Sequence, residues 1–411
     1  MSTIPATEAQ AKRDQNSKIE IVPRFSDQQY SEASVAQRRN WVEKKTDTTL
    51  DLVSHSSLNP GSLRGNIENP IGSVQIPLGV AGPLRVHGEH AEGDFLVPLA
   101  TTEGALVKSY ERGAVAITRA GGAQTRITND SNCCSPIFTL TDVVKAADFC
   151  RHIEKCFDQF DKITSSTTNH GKLLSAVARQ IGRDVVLDLK FFAADAHGMN
   201  LCSKATEAIC QWLRSERPEI ETHLTLSGAS SEKRVSGAAF RVGKGKHVVA
   251  GVTIPRKIVR RHLFSTPEGM CHMLHRTLLG QIQSGTIGYN GHVANGLTAL
   301  FIACGQDVAN VVNGSVAMTS LEVDSGGDLV ASVTLPSLNV ATIGGGTGIG
   351  TGKECLQLLG CLGKNKCRKF AEIVAATILA GELSFGASLA HGDFSNAHEK
   401  YGRNRPAGNT L

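Results

Sequence analysis

The stretch 277–307, TLLGQIQSGTIGYNGHVANGLTALFIACGQD, has no formally charged side chain between Arg276 and Asp307, only His292. From His292 onward, Val293, Leu297, Leu300, Phe301 and Cys304 recur at three- and four-residue spacing, and Ala294, Ala299, Ile302 and Ala303 fill the other faces. A helix apolar on nearly every side is stable only when a sizeable protein surrounds it. Gln281, Gln283, Ser284, Tyr289, Asn290 and Asn295 interrupt the run too often for a membrane span. It ends on Asp307, a carboxylate that burial makes costly unless it is paired or put to use. Two readings stand at this point, a capping or salt-bridged residue and a functional acid.

A chain of 411 residues has the mass to surround such a helix, as two or more domains or as one large domain with an insertion. The net charge of +5 comes from scattered basic residues. That bias is too weak to argue for nucleic acid, so no nucleic-acid partner is expected, and it is compatible with an anionic small substrate. Eleven cysteines without regular spacing, two of them the adjacent Cys133 and Cys134, read as reduced thiols of a cytoplasmic protein. No CxxC pair and no HExxH occurs, so no metal site is expected. The polar N-terminus lacks an apolar secretion core, and no later run suits a membrane span, so a soluble protein is expected.

Residues 1–18 are polar, small and aperiodic, as disordered segments are. A small helical region, 19–60, follows, with ASVAQRRNWVEKK (33–45) as its helix. Pro and Gly punctuate short apolar pieces over 64–86, which predicts turns and strands. In 98–122, Thr101 or Thr102 is a credible helix N-cap that would put Glu103 in the first turn, where its charge suits the helix dipole. Residues 136–226 change character. A helical stretch leads to a strand in which Val185, Leu187, Leu189 and Phe191 alternate with their neighbours, then a turn at Gly198 opens a helix through Ala208 and Trp212. Strand, tight turn and helix N-terminus make a workable phosphate cradle. These features predict an α+β fold, with a large domain of 61–135 and 227–411 and a smaller one, 136–226, inserted in it.

Beyond the insertion, LTLSGASSEKRVSGAAF is a polar loop carrying Glu232, Lys233 and Arg234, and HVVAGVTIP returns to strand. A glycine cluster, residues 344–352, precedes a further helix. It meets neither the P-loop nor the GxGxxG pattern, since Thr347 and Glu354 occupy positions that a P-loop reserves for Gly and Ser or Thr. A backbone-rich anion site remains compatible with it. The last helix, KFAEIVAATILAGELSFGASLA, runs into a polar tail with His391 and His398.

Seven segments taken in order, ENPIG…IPLGVAGPL, TTEGALV, DAHGMN, the EKR loop, GYNGHVAN…IACGQD, LPSLNVATIGGGTG and LAGELS, resemble the 3-hydroxy-3-methylglutaryl-coenzyme A (HMG-CoA) reductases of the class found in eukaryotes. The resemblance covers roughly residues 60–400 and lies in the order and spacing of the segments together. It implies a large domain around a buried central helix, here the apolar stretch 277–307. It further implies an inserted non-Rossmann, ferredoxin-like NADP-binding domain and an active site shared between subunits of a homodimer or homotetramer. The implied reaction is the four-electron reductive deacylation of HMG-CoA to mevalonate and CoA by two NADPH, with NADH as the alternative nucleotide, in isoprenoid and sterol synthesis.

Four catalytic positions carry over: Glu103 in TTEG, Lys233 in the EKR loop, Asp307 in GQD, and His398 before the tail. The chemistry accounts for these types. Each carbonyl reduced develops an oxyanion that the Lys233 ammonium can stabilise. Glu103 suits the role of proton donor to that oxygen, with Asp307 holding it protonated or tuning Lys233. His398 can protonate the departing thiolate. Asp195, Gly198, Met199 and Asn200 of DAHGMN, with Gly344, Gly345 and Gly346, are the implied cofactor contacts.

Departures from the family pattern bear on specificity. A substrate-binding arginine of the family's TRGP motif is replaced by Cys134, and a substrate-pairing lysine by Arg276. Asn295 and Arg234 still suit a carboxylate. Asn169 takes the place of the arginine that reads the NADP 2′-phosphate, with His170 and Lys172 as substitutes. The family's phosphorylation-regulated serine falls at Asn404, and its membrane-anchoring N-terminal region has no counterpart, so neither device is expected. The alternatives are a catalytically weakened paralogue that binds CoA esters or regulates an active subunit, and a reductase with a shifted acyl substrate.

Overall fold

The computed structural model describes residues 20–26 and 28–391, so the expectations for 1–18, His398 and Asn404 lie outside the described residues. Two compact units divide between Gln75 and Ile76. In the first, helix α1 (Glu32–Thr46) starts on Ser31, whose hydroxyl accepts from the Ser34 N–H at 3.2 Å. Arg38 on this helix is fully buried. Its guanidinium donates to the carbonyls of Pro23, Pro70 and Gln29 at 3.2, 3.2 and 2.7 Å, which ties the surrounding coil to the helix.

The second unit is built on one sheet of strands β1 (Leu78–His87), β2 (Glu92–Ala100), β3 (Ala123–Cys134), β4 (Ile137–Leu140), β5 (Lys172–Ile181), β6 (Asp184–Phe192), β7 (Ile220–Leu224), β8 (Gly245–Ile254), β9 (Met318–Val323) and β10 (Leu329–Leu338). Its main order is β7-β4-β6-β3-β8-β10-β9, with β1–β2 beside β3 and β5 outside β6. Strand β3 is shared. Its residues from Gln124 to Ser131 pair antiparallel with β8, while Asn132, Cys133 and Cys134 pair with Phe191, Lys190 and Leu189 of β6.

Each side of that handover has its own apolar core. The larger gathers β1, β2, β8 and β10 with helices α2 (Leu106–Arg119), α7 (Val293–Ala303), α8 (Gly350–Leu358) and α9 (Cys367–His391). The smaller packs α3 (Val143–Ile153), α4 (Phe157–Thr167) and α5 (Met199–Glu216) over β4 and β6 through Phe138, Phe149, Phe160, Phe191, Ile209 and Leu213. Asp142 caps α3 by accepting from the Lys145 N–H at 2.8 Å, and Gly198, at φ 85°, caps α5.

The apolar stretch 277–307 is not one central helix. It divides into the end of α6 (Pro267–Gln283), a turn, and α7, which ends before the left-handed Gly305 at φ 62°. Helix α9 is the long buried one, and among the described residues the one helix long and apolar enough to cross a bilayer. Its polar side chains are committed inside the protein. Glu372 accepts from the N–H groups of Glu89, His90 and Ala91 at 3.2, 2.9 and 2.7 Å. Tyr110 of α2 fits between α7 and α9 because Gly296 and Gly381 face it; a Cβ there would lie 2.0 and 2.4 Å from the phenol.

Candidate active site

Glu103 does not enter the first turn of α2. Ala105 takes a left-handed conformation at φ 71°, and the helix begins only at Leu106. The preceding turn is closed by the Glu103 N–H donating to Thr101 Oγ1 at 3.0 Å, which leaves the Glu103 carboxylate free of the helix. Asn295, in the first turn of α7, donates through Nδ2 to Glu103 Oε2 at 3.2 Å and Oε1 at 3.4 Å. The pair lines a cleft of about 770 Å³ with Ser109, Arg112, Arg261 and Phe385 among its walls.

The cleft floor is a set of packed rings over a buried carboxylate. His292 stacks on Tyr110 with ring centroids 5.5 Å apart and lies 4.7 Å from the Phe385 ring. Beneath it, Glu382 of α9 accepts from the N–H groups of Gly291 and His292 at 2.6 and 2.8 Å and from Thr319 Oγ1 at 2.7 Å. Burial alone would raise the Glu382 pKa, but the hydrogen bonds and charge of His292 and the backbone donors outweigh it and hold the carboxyl below its ordinary value. Arg112 donates to Ser384 Oγ at 2.9 Å and to Ser388 Oγ at 2.9 Å, which aligns α2 with the end of α9.

A second constellation forms around the EKR loop. Lys233 Nζ lies 2.8 Å from Asp307 Oδ2. The loop backbone is bent into left-handed conformations at Ser231 and Lys233, φ 59° and 53°. Such geometry costs about 1–2 kcal/mol per residue and survives only when its surroundings enforce it. The enforcing residue is Asn313, fully buried: its Oδ1 accepts from the Lys233 N–H at 2.7 Å, and its Nδ2 donates to the carbonyls of Ser231 and Arg234 at 2.8 and 3.2 Å. Sequence reasoning missed Asn313. Buried Lys244 sits beside the loop, 3.1 Å from Glu232 Oε2 and donating to the Cys133 carbonyl.

The segments expected at a cofactor converge on the same end of α7. Gln306, just before Asp307, bridges to Ala341 in both directions, donating to its carbonyl at 2.9 Å and accepting its N–H at 2.8 Å. The turn at Gly305 and the glycine loop touch backbone to backbone, where a Cβ on Gly305 would lie 2.4 Å from the Gly346 carbonyl. Nothing lies within 4 Å of where a Cβ would stand on Gly344, Gly345 or Gly348, so that loop offers open backbone. Asp195 turns its carboxylate onto the N-terminus of α9, accepting from Asn365, Lys366 and Cys367 at 2.8, 3.1 and 3.1 Å. It anchors this corner rather than pointing outward. Met199 and exposed Asn200 open α5, and a Cβ on Gly171 would lie 2.7 Å from Leu201 Cδ2, so Asn169, His170 and Lys172 border the same helix terminus.

The structure does not gather all the expected residues. Asn295 opens α7 and Asp307 follows its last turn, so Asn295 with Glu103 and Asp307 with Lys233 sit at opposite ends of a helix that rises roughly 12 Å from Asn295 to Ala303. Arg234 is exposed on its loop, and Arg276 is exposed on α6, where its nearest polar partner is His272 Nε2 at 3.5 Å. Cys134 stands inside the second core rather than on a pocket wall. Its thiol is fully buried, 3.8 Å from the Thr225 carbonyl, and burial raises its pKa.

Comparison with known proteins places this geometry. The sequence model of the hydroxymethylglutaryl-coenzyme A reductase family matches residues 34–403. The chain is 40% identical over 392 residues to the 3-hydroxy-3-methylglutaryl-coenzyme A reductase of Methanocaldococcus jannaschii, covering 93% of this chain and 96% of that protein. It is 42% identical over 371 residues to that of Methanothermobacter thermautotrophicus, covering 89% and 92%, and 33% identical to reductase 1 of Dictyostelium discoideum, covering 89% and 68%. Its fold is similar to that of the class II reductase of Streptococcus pneumoniae bound to NADPH, with a TM-score of 0.67 at 17% identity over 89% of this chain and 100% of that one. With identity of this extent across both constellations and the α+β architecture that joins them, the chain belongs to the hydroxymethylglutaryl-coenzyme A reductase family.

Proposed function

We propose that the chain reduces HMG-CoA to mevalonate and CoA with two NADPH, and that the Glu103 and Lys233 constellations are complementary parts of its catalytic site. The observation that carries this reading is the Lys233–Asp307 pair, 2.8 Å apart on a loop held in a costly conformation by Asn313. An ammonium fixed this way is oriented before the substrate arrives, which is what stabilising a developing oxyanion requires. Glu103, held by Asn295 at the cleft wall, is placed to deliver the proton to the reduced oxygen.

The separation of the two groups by the length of α7 supports a site completed by a second copy of the chain, with Glu103 from one copy and Lys233 and Asp307 from the other. A homodimer or homotetramer meets that requirement. NADPH supplies the hydrides when bound. The open backbone of Gly344 and Gly345, the N-terminus of α5 at Gly198, and Lys172 with His170 and Asn169 beside it fit its phosphates. Residues 136–226, with their own core, serve as the nucleotide-binding domain inserted between 61–135 and 227–411. His398 completes the set as thiolate acid.

Steady-state assays with HMG-CoA and either nucleotide test the reading. Two NADPH oxidised per mevalonate and per CoA are expected. Absence of mevalonate with both NADPH and NADH would overturn it, and measurable CoA-ester binding in that case would favour the weakened paralogue.

A further inference from the structure

The DAHGMN turn carries a histidine that the roles assigned so far leave unused. His197 is half-buried, and its backbone carbonyl is pinned by Asn132 Nδ2 at 2.8 Å. Its Nε2 faces Asn310 Nδ2 within hydrogen-bond contact. The same Asn310 amide nitrogen lies 3.3 Å from Asp307 Oδ2, and that oxygen is the one 2.8 Å from Lys233 Nζ. Imidazole, carboxamide, carboxylate and ammonium therefore form one continuous chain. Asn310 is buried, and its Oδ1 has no hydrogen-bond partner. Both contacts of the amide, to His197 and to Asp307, run through Nδ2, and together they fix which way it faces.

We propose that His197 is a positioning residue for the Lys233–Asp307 pair, acting through the Asn310 amide whose orientation it sets. The inference rests on the reading of Lys233 and Asp307 as catalytic. An NH₂ group aimed at Nε2 requires that nitrogen to be an acceptor, so His197 is neutral with its proton on Nδ1. In this state Asn310 can donate to His197 and Asp307 together. Protonation of Nε2 sets donor against donor. The amide must then turn, which presents its carbonyl oxygen both to the imidazolium and to the Asp307 carboxylate. Asp307 exchanges a donor for a repelling dipole, and Lys233 loses the fixed partner that holds it in place.

The groups facing His197 are Glu232, Lys233 and Lys244 from the loop and the start of β8, and Asp307 from the end of α7. Burial lowers the His197 pKa below its ordinary 6.5; Glu232 and Asp307 oppose that effect and the two lysines add to it. The neutral form thus prevails at pH 7, and loss of the arrangement belongs to the acidic side.

The test compares kcat and kcat/KM across pH for the wild-type protein, His197→Gln and His197→Ala, together with NMR titration of the His197 ring. His197→Gln keeps an acceptor toward Asn310, so it should retain activity at pH 7 and lose the acidic inflection that coincides with the His197 titration. His197→Ala should lower kcat roughly ten- to a hundredfold, with KM for HMG-CoA little changed. An acidic limb identical in wild type and His197→Gln, or an unchanged kcat in His197→Ala, overturns the proposal. The titration is independent of turnover. In Asp307→Asn the His197 midpoint should fall further, because an opposing negative charge is gone; an unmoved midpoint rejects the coupling. Absence of mevalonate from the wild type would instead reject the catalytic reading, with the coupling still decided by the titration.

Discussion

The backbone N–H of Lys233 donates to Asn313 Oδ1 at 2.7 Å across 80 residues of sequence, and this bond holds Lys233 at φ 53°. Asn313→Ala removes that acceptor and the two donors that tie down Ser231 and Arg234. The loop should relax toward ordinary backbone, with kcat falling at least about tenfold and stability by about 2–3 kcal/mol. Urea unfolding and steady-state kinetics on one preparation check both. Unchanged kcat would show that the loop keeps its shape unaided.

Lys233 itself is expected to matter in the transition state. Lys233→Gln, which keeps length and polarity but removes the charge, should lower kcat by about 10²–10³-fold while KM for HMG-CoA moves little. A change confined to KM would make Lys233 a binding residue.

Asp195 should reveal itself through the nucleotide. Asp195→Ala frees three N–H groups at the start of α9 and loosens the corner where residues 341–346 meet the DAHGMN turn. Losing such a cap costs about 1 kcal/mol. The expected kinetic outcome is a raised KM for NADPH with KM for HMG-CoA nearly unchanged. Equal rises in both would place its effect on the whole site.

The buried carboxylate beneath the cleft makes stability depend on acid. Glu382 has its folded pKa held below the ordinary 4.5, so its contribution is present above 4.5 and is lost as pH falls through the folded value. Glu382→Gln should destabilise the protein by about 3 kcal/mol at pH 7 and flatten the decline of stability below pH 4.5. Urea midpoints measured from pH 7 downward test this. Parallel curves for the two proteins would refute it.

Cys134 offers a test of burial against family pattern. Cys134→Arg forces a guanidinium into a position with no exposure, beside the Lys244 charge. The cost of burying an unpaired charge predicts a loss of at least about 2 kcal/mol, read as a lower melting temperature. A variant of undiminished stability with a lower KM for HMG-CoA would mean that the new side chain finds a route to the substrate.

Much of the local structure was legible in the residues themselves. Spacing of Val293, Leu297, Leu300 and Phe301 marked α7, and the alternation from Val185 to Phe192 marked β6. Ordered motifs pointed to Glu103, Lys233 and Asp307, and the structure pairs the last two directly and the first with Asn295. The sequence puts the central helix in 277–307 and the structure puts it at α9, because two apolar runs look alike in sequence and only their neighbours decide which is enclosed. Capping residues in the sequence place Glu103 in a helix that the left-handed Ala105 delays, a conformation that alanine's ordinary preferences do not announce.

Sequence by itself determined the chemistry available to this protein and the periodic elements that carry it, because side-chain type and hydrophobic spacing act over a few residues. Tertiary structure alone decided the supports: Asn313 under Lys233, Asn310 between His197 and Asp307, and Glu382 beneath His292. It also decided that Cys134 faces a core and that α7 keeps the two constellations apart. The bonds from Asn313 to Lys233, from Glu382 to His292 and from Asn310 to His197 join residues 80 to 113 positions distant, and that from Asn295 to Glu103 joins residues 192 apart. A polar side chain gives no local sign of which far segment will present the partner that satisfies it.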